Sequence, residues 1–271
     1  MSTKREVAEA CRRGWKHLGR GRYEEAAREF QQGLDTDEQC LEALEGLGLS
    51  LWRKLEQIGE AMGEVIRPGS VSVEELLQGG QHAKIGTITI DGAVIDWPTF
   101  RETIELARQA RELLQRAFDR GTTRVDVLEA LARAPGVEAE VRRRAIARAL
   151  EISSTSAWAN FLRGMECVQR KDYAPAARHL EAAMRADPDR GEWRNELGSV
   201  YMNQERYREA IEQLHAAVRL KPSYASSWYN LGMACFRLND RRRAVEAYRR
   251  FLEIEPHSTD AMDLRRLFPE L

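Results

Sequence analysis

The sequence has almost no net charge. Its 42 basic residues stand against 43 acidic ones, for a formal charge of -1 over 271 residues. Proteins that bind nucleic acid or an anionic membrane through a general electrostatic field carry a clear excess of basic residues. The balance argues against both kinds of partner, and we expect the protein to bind neither nucleic acid nor a membrane.

Long apolar runs and targeting signals are also missing. No stretch of about 18 apolar residues occurs, and the opening residues MSTKREVAEACRRGW lack the apolar core of a secretory signal. The four cysteines form no Cys-x-x-Cys pair and have no histidine at metal-ligand spacing. These features predict a cytoplasmic protein with reduced thiols.

Motifs of catalysis are absent as well. The five histidines are scattered, without the H-E-x-x-H spacing of a zinc site. The sequence contains no phosphate-binding G-x-x-x-x-G-K loop, no G-x-G-x-x-G after a strand and no G-x-S-x-G nucleophile turn. We therefore predict a protein that is not an enzyme and that holds no metal or cofactor.

Arginine is the abundant charged residue, since lysine supplies only six of the basic side chains. Runs of arginine occur at Arg142–Arg144, Arg241–Arg243 and Arg265–Arg266, interleaved with glutamate and aspartate. At helical spacing, this mixture is typical of a solvated helix face with ion pairs between residues four positions apart. A solvated face is favoured over a nucleic-acid patch for these runs.

The chain repeats itself every 34 residues. Three residue types recur at this interval: Gly164, Gly198 and Gly232; Ala176, Ala210 and Ala244; Pro188, Pro222 and Pro256. Apolar residues at spacings of three and four lie on both sides of a short polar turn, which predicts two helices per unit. The small residues allow the two helices to cross closely, and the proline ends the second helix.

A 34-residue two-helix unit with the pattern W-x-x-L-G resembles the tetratricopeptide repeat. The residues that match best are Trp228, Leu231, Gly232, Ala244, Tyr248 and Pro256. The resemblance implies an all-α, right-handed superhelical solenoid of helix-turn-helix repeats, here interrupted by one small β-hairpin insert.

The period assigns most of the chain to repeats. Gly14 aligns with Gly164, and Gly48 follows Gly14 by one further period, without a second helix where the period expects it. The predicted organisation has five parts: residues 5–65, one complete repeat and half of another; 66–98, an insertion; 99–156, a long helix and a degenerate repeat; 157–256, three consecutive repeats; and 257–271, a capping helix.

The insertion has its own signals. Ser72 and Glu75 form a capping box that predicts a short helix. Alternating residues in GTITIDGAVID, around Asp91–Gly92, predict a hairpin with Ile88, Ile90, Ala93, Ile95 and Trp97 on one face. A second capping box, Thr99 with Glu102, predicts the start of the long helix, which is expected to supply the missing second helix of the second repeat. The hairpin is expected to cover an open helix face, to line the groove or to mediate dimerisation, and the sequence does not choose among these.

In the family that the repeats resemble, the first helices of successive repeats line a concave groove that receives a polypeptide. The resemblance thus implies a non-enzymatic scaffold with a protein or peptide partner. The side chains expected to bind the peptide are Trp158, Phe161, Met165, Asn195, Tyr229, Asn230, Met233 and Arg237. The two amides, Asn195 and Asn230, are expected to bond the peptide backbone.

Three alternatives are weaker. Some relatives clamp a C-terminal carboxylate with lysine and asparagine, but Phe161 and Met165 occupy those places here, which disfavours an adaptor for chaperone tails. A self-associating array that forms a homo-oligomer is the main alternative to a foreign partner. An RNA-binding helical repeat is less favoured, because it needs a basic concave face.

Overall fold

The computed structural model describes residues 2–61, 87–90, 93–268 and 271. These residues form thirteen helices and one two-stranded sheet. The elements are α1 (Ser2–Leu18), α2 (Tyr23–Thr36), α3 (Leu41–Ala61), β1 (Thr87–Ile90), β2 (Ala93–Asp96), α4 (Trp97–Asp119), α5 (Val125–Arg133), α6 (Ala139–Ile152), α7 (Ala157–Gln169), α8 (Tyr173–Ala186), α9 (Gly191–Asn203), α10 (Tyr207–Leu220), α11 (Ala225–Arg237), α12 (Arg241–Ile254) and α13 (Thr259–Leu267). They divide into two compact units, Met1–Ile152 and Ser153–Leu271.

The N-terminal unit contains three packed helix pairs: α1 with α2, α3 with α4, and α5 with α6. In the first pair Gly14 lies under Phe30, whose ring would be 2.7 Å from a Cβ atom at that glycine. In the second pair Gly48 lies against Leu114 of α4. A Cβ atom added at Gly48 would be 3.0 Å from the Leu114 side chain. The long helix α4 therefore takes the position of the second helix in the second repeat.

The C-terminal unit contains three consecutive pairs, α7 with α8, α9 with α10, and α11 with α12. A Cβ atom at Gly164 would fall 2.9 Å from Leu180, and one at Gly198 would fall 2.6 Å from Leu214. At Gly232 the ring of Tyr248 is closer still. The predicted packing role of the periodic glycines is confirmed in all three repeats.

The turn between the two helices of a pair also recurs from repeat to repeat in the C-terminal unit. The two helices of each C-terminal pair are joined through one residue in the left-handed region: Lys171 with φ 62°, Glu205 with φ 60° and Asn239 with φ 61°. Non-glycine residues rarely adopt this conformation. A left-handed residue occurs at the equivalent position in all three turns. The repeat therefore determines the backbone conformation of the turn as well as the packing of the helices.

The last helix, α13, covers the end of the C-terminal unit. Ser258 caps it by accepting a hydrogen bond from the backbone N–H of Ala261 at 3.1 Å. Ala261 and Leu264 are buried, and Phe268 packs against Tyr248 with 5.1 Å between ring centroids. On its outer side Leu267 is 67% exposed. This one-sided burial is what a helix that ends a stack of repeats requires.

The two strands pair antiparallel, with Ile88 opposite Ile95 and Ile90 opposite Ala93. The following helix begins directly after β2, at Trp97. The expected start at Thr99 is therefore wrong by two residues, and Trp97 belongs to the helix rather than to the hairpin. Pro98 explains the early start, because proline is well suited to the first turn of a helix. The short helix predicted at Ser72 and the turn at Asp91–Gly92 lie outside the described residues.

The arginine runs form ion pairs on exposed helix faces. Arg143 pairs with Glu140 at 2.5 Å, and Arg243 pairs with Asp240 at 2.5 Å. Both pairs span three positions rather than the expected four. Pairs as exposed as these contribute little to stability, because water screens both charges.

Replacement of Gly232 by alanine tests the helix crossing. A methyl group there meets the ring of Tyr248, which is buried and cannot move away. We expect Gly232→Ala to lower the free energy of unfolding by about 1–3 kcal/mol, measured by urea denaturation. The control is Ser226→Ala, an exposed position of the same helix, which should be neutral or slightly stabilising. Equal stability of the two variants would contradict the packing assignment.

Candidate functional site

The first helices of the three C-terminal repeats, α7, α9 and α11, contact one another side by side. The ring of Phe161 on α7 stacks on Trp193 of α9, with 4.8 Å between centroids and 11° between planes. The amide of Asn230 on α11 donates to the side-chain oxygen of Asn195 on α9 at 2.9 Å. Side chains of three successive first helices therefore form one continuous surface.

We call this surface the first-helix face. It consists of four repeat positions, each occupied once in α7, α9 and α11: Trp158, Glu192 and Ser226; Phe161, Asn195 and Tyr229; Leu162, Glu196 and Asn230; Met165, Ser199 and Met233. Seven of the eight predicted binding residues belong to it. The eighth, Arg237, is exposed at the end of α11, one helical turn beyond Met233.

One end of the face is aromatic. Trp158 lies edge-on to Trp193 at 4.9 Å and to Phe161 at 5.8 Å. The guanidinium of Arg190 lies over both indoles, 5.2 Å from Trp158 and 5.4 Å from Trp193. Trp193, which is only 3% exposed, was missed by the sequence reasoning. It holds Trp158 and Phe161 in place while both remain partly accessible.

The centre of the face is polar. Asn195 is 3% exposed; its oxygen accepts from Asn230, and its nitrogen donates to Glu196 Oε1 at 3.4 Å. Both ends of the Asn195 amide are thus engaged within the protein, so this residue positions its neighbours. The expectation that Asn195 bonds a peptide backbone does not fit its burial. Asn230 is only half-buried and is the accessible amide of the pair.

Tyr229 and Met233, both on α11, form the other end, and Met165 lies on α7. The Tyr229 ring packs on α12, 5.3 Å from Phe251 and 6.1 Å from Tyr248. Burial, with the negative charges of Asp260 and Asp263, raises the pKa of Tyr229. Met165 and Met233 pack against the core while staying half-buried. Flexible thioethers at such places can adapt to apolar side chains of different shapes.

Glu196 is the face residue that the sequence reasoning overlooked. Burial raises the pKa of this carboxyl, and the hydrogen bond from Asn195 offsets only part of that effect. Glu192, on the same helix, differs because Lys221 Nζ lies 2.5 Å from its carboxylate. The centre of the face thus holds a half-buried carboxylate whose charge is not balanced by a neighbouring cation in the described chain.

Two features are missing from the part of the chain that the structure describes. Within these residues no group of three or more histidine, cysteine, aspartate or glutamate side chains is arranged to hold a metal ion. Among the described helices, none combines the length and the apolar composition needed to cross a bilayer.

The raised pKa of Glu196 predicts a pH-dependent stability difference. The folded protein favours the protonated form of the Glu196 carboxyl. The stabilisation from that protonated carboxyl is therefore complete below the ordinary pKa of 4.5, and it is lost as pH rises through the raised pKa of the folded state. Glu196→Gln, which stays neutral, should therefore melt at a higher temperature than wild type at pH 7, and the difference should vanish near pH 4.

The control for this measurement is Glu209→Gln. Glu209 pairs with Arg206, which lowers the pKa of the Glu209 carboxyl, so its substitution should not stabilise the protein at pH 7. The same rise in melting temperature for both variants would show that net charge, rather than burial of Glu196, is responsible.

Comparison with known proteins agrees with this architecture. The model of the tetratricopeptide repeat family matches residues 11–67, 161–207 and 195–259, which is more than half of the chain. These ranges include α2 and α3 in full, the second half of α1, and α8 to α12. They do not include β1 and β2, so the family match gives no support to the hairpin.

The individual relatives match only part of this chain. The chloroplastic tetratricopeptide repeat domain-containing protein PYG7 of Arabidopsis thaliana is 29% identical over 106 residues, 38% of this chain and 35% of its own length. The heat-shock protein cognate co-chaperone sgt12 of Aspergillus fumigatus is 28% identical over 100 residues, 36% of this chain and 29% of its own. The chain thus spans about a third of the length of these relatives.

A solved structure extends the comparison to the whole chain. PilF of Pseudomonas aeruginosa superposes with a TM-score of 0.60 at 14% identity, and the match covers 98% of this chain and 99% of that one. At this identity the likeness concerns the fold alone. The family match over more than half of the chain identifies it as a member of the tetratricopeptide repeat family.

Proposed function

We propose that the protein is a non-enzymatic scaffold that binds a partner polypeptide, in extended form, along the first-helix face. One observation carries the proposal: accessible aromatic, thioether and amide side chains form a continuous row across three helices. Large apolar side chains that remain accessible and lie together are typical of an interaction surface.

The chemistry of the row suits an extended peptide. Phe161, Met165 and Met233 offer apolar contacts for alternate side chains of the ligand. Between them Asn230 offers an amide that is held in place by Asn195 and has hydrogen-bonding capacity left for a peptide backbone. Pre-organised contacts of this kind lower the cost of ordering the protein, although not that of ordering the ligand.

The family supports a polypeptide as the ligand. Tetratricopeptide repeat proteins mediate protein–protein interactions, and the Aspergillus relative is named as a co-chaperone of a heat-shock protein cognate. An isolated peptide should bind with a modest dissociation constant, about micromolar, since it must lose its conformational freedom on binding.

Ser199 provides a direct test. It is a small, half-buried residue of α9 on the first-helix face, so a larger side chain there fills the face without removing a core contact. Peptides are first selected from a random display library on the wild-type protein. We expect Ser199→Arg to weaken binding of the selected peptides at least about tenfold, or 1.4 kcal/mol, in calorimetry.

The matched control is Ala186→Arg. This change adds the same side chain and charge at the exposed end of α8, a second helix, where a basic residue is favourable to the helix dipole. It should leave both the dissociation constant and the melting temperature unchanged. Undiminished peptide binding by a folded Ser199→Arg protein would remove the first-helix face from the proposal.

A further inference from the structure

Glu196 is in the middle of the first-helix face, and among the residues that the structure describes no arginine or lysine pairs with its carboxylate. The polar contact of its carboxylate is the amide of Asn195, at the long distance of 3.4 Å. In the described chain no arginine or lysine lowers its pKa, and burial raises it. A half-buried carboxylate in this state is stabilised by any cation that reaches it.

The surroundings on the Tyr229 side are also negative. Asp260 and Asp263 of α13 are close enough to raise the pKa of Tyr229. Tyr229 precedes Asn230, which is bonded through Asn195 to Glu196. A cationic ligand group is therefore attracted to the centre of the face, and an anionic group, such as a C-terminal carboxylate, is repelled.

The side facing α7 is aromatic. Trp193 precedes Glu196 by three positions on α9, so the two residues lie on neighbouring parts of the helix surface, and Phe161 stacks on Trp193. The same cluster already attracts a guanidinium, since Arg190, paired with Asp187 at 2.8 Å, lies over Trp158 and Trp193. A planar guanidinium combines well with an aromatic wall and a carboxylate.

We propose that Glu196 receives an arginine side chain of the partner polypeptide. The ligand is then an extended segment in which an arginine is flanked by apolar residues that contact Phe161, Met165 and Met233. The inference rests on the proposed function and names the chemistry of the ligand at that same face.

The experiment compares two synthetic nonapeptide libraries. Both carry random apolar and small polar residues, and they differ only at the fixed central position, which is arginine in one and the neutral isostere citrulline in the other. Peptides that the full-length protein retains are resynthesised in both forms, and the dissociation constants are measured by calorimetry at neutral pH. We expect the arginine form to bind at least about tenfold more tightly to wild type.

Two variants then locate the preference. Glu196→Gln should bind the arginine and citrulline forms equally, because it removes the charge and keeps the shape. Glu209→Gln loses the same charge from α10, a second helix, where Arg206 already balances it, and should retain the full preference. Circular dichroism spectra identical to that of wild type establish that both variants are folded.

The outcomes separate the two proposals. Equal binding of both peptide forms by wild type, or a preference that survives Glu196→Gln, overturns the role of Glu196. If Ser199→Arg still weakens binding, the face remains the binding site. Selection of peptides with a central acidic residue, in place of arginine, from a fully random library also overturns it. Failure of the protein to retain peptides from either library contradicts both proposals.

Discussion

The close crossing of two helices within each repeat is the constraint on which the rest of the structure depends. In every repeat that has the motif, a glycine of the first helix receives a large side chain of the second, such as Leu214 on Gly198 or Tyr248 on Gly232. A methyl group at these glycines would overlap that side chain, so a larger residue is not tolerated at these positions without a shift in the packing. Repetition of one contact gives every pair the same internal geometry.

Identical pairs place equivalent residues side by side. Because α7, α9 and α11 present the same four positions, the side chains at those positions meet across helix boundaries, as Asn195 and Asn230 do. The period therefore specifies a surface without specifying its chemistry. Substitution within the four positions can change the ligand while the glycine contacts keep the fold.

Much of the architecture follows from the sequence because repeated packing leaves a repeated pattern. The spacing of Gly164, Gly198 and Gly232 was sufficient to predict the helix pairs of the C-terminal unit. The period alone did not locate the second helix of the second repeat, because Leu114 follows Gly48 at an irregular distance. The capping box after the insertion led us to expect that the long helix supplies it, and the packing of α4 on α3 agrees with this expectation.

The candidate face was harder to predict than the fold. Residue type suggested that Asn195 was accessible, although its amide is buried and engaged on both sides. Trp193 lies next to a face position and resembled an ordinary core residue. Glu196 resembled the many solvated glutamates on these helices, and only burial, which depends on the neighbouring repeats, distinguishes it.

The central claim is that a polypeptide binds along the first helices of the C-terminal unit, and methionine methyl resonances can test it without any substitution. Met165 and Met233 lie on the first-helix face, on α7 and α11, whereas Met184 lies on α8 and Met262 on α13. The protein, labelled with carbon-13 in its methionine methyl groups, is titrated with a selected peptide. The account predicts saturable shifts of Met165 and Met233 with Met184 and Met262 unchanged; shifts confined to Met184 or Met262 would contradict it.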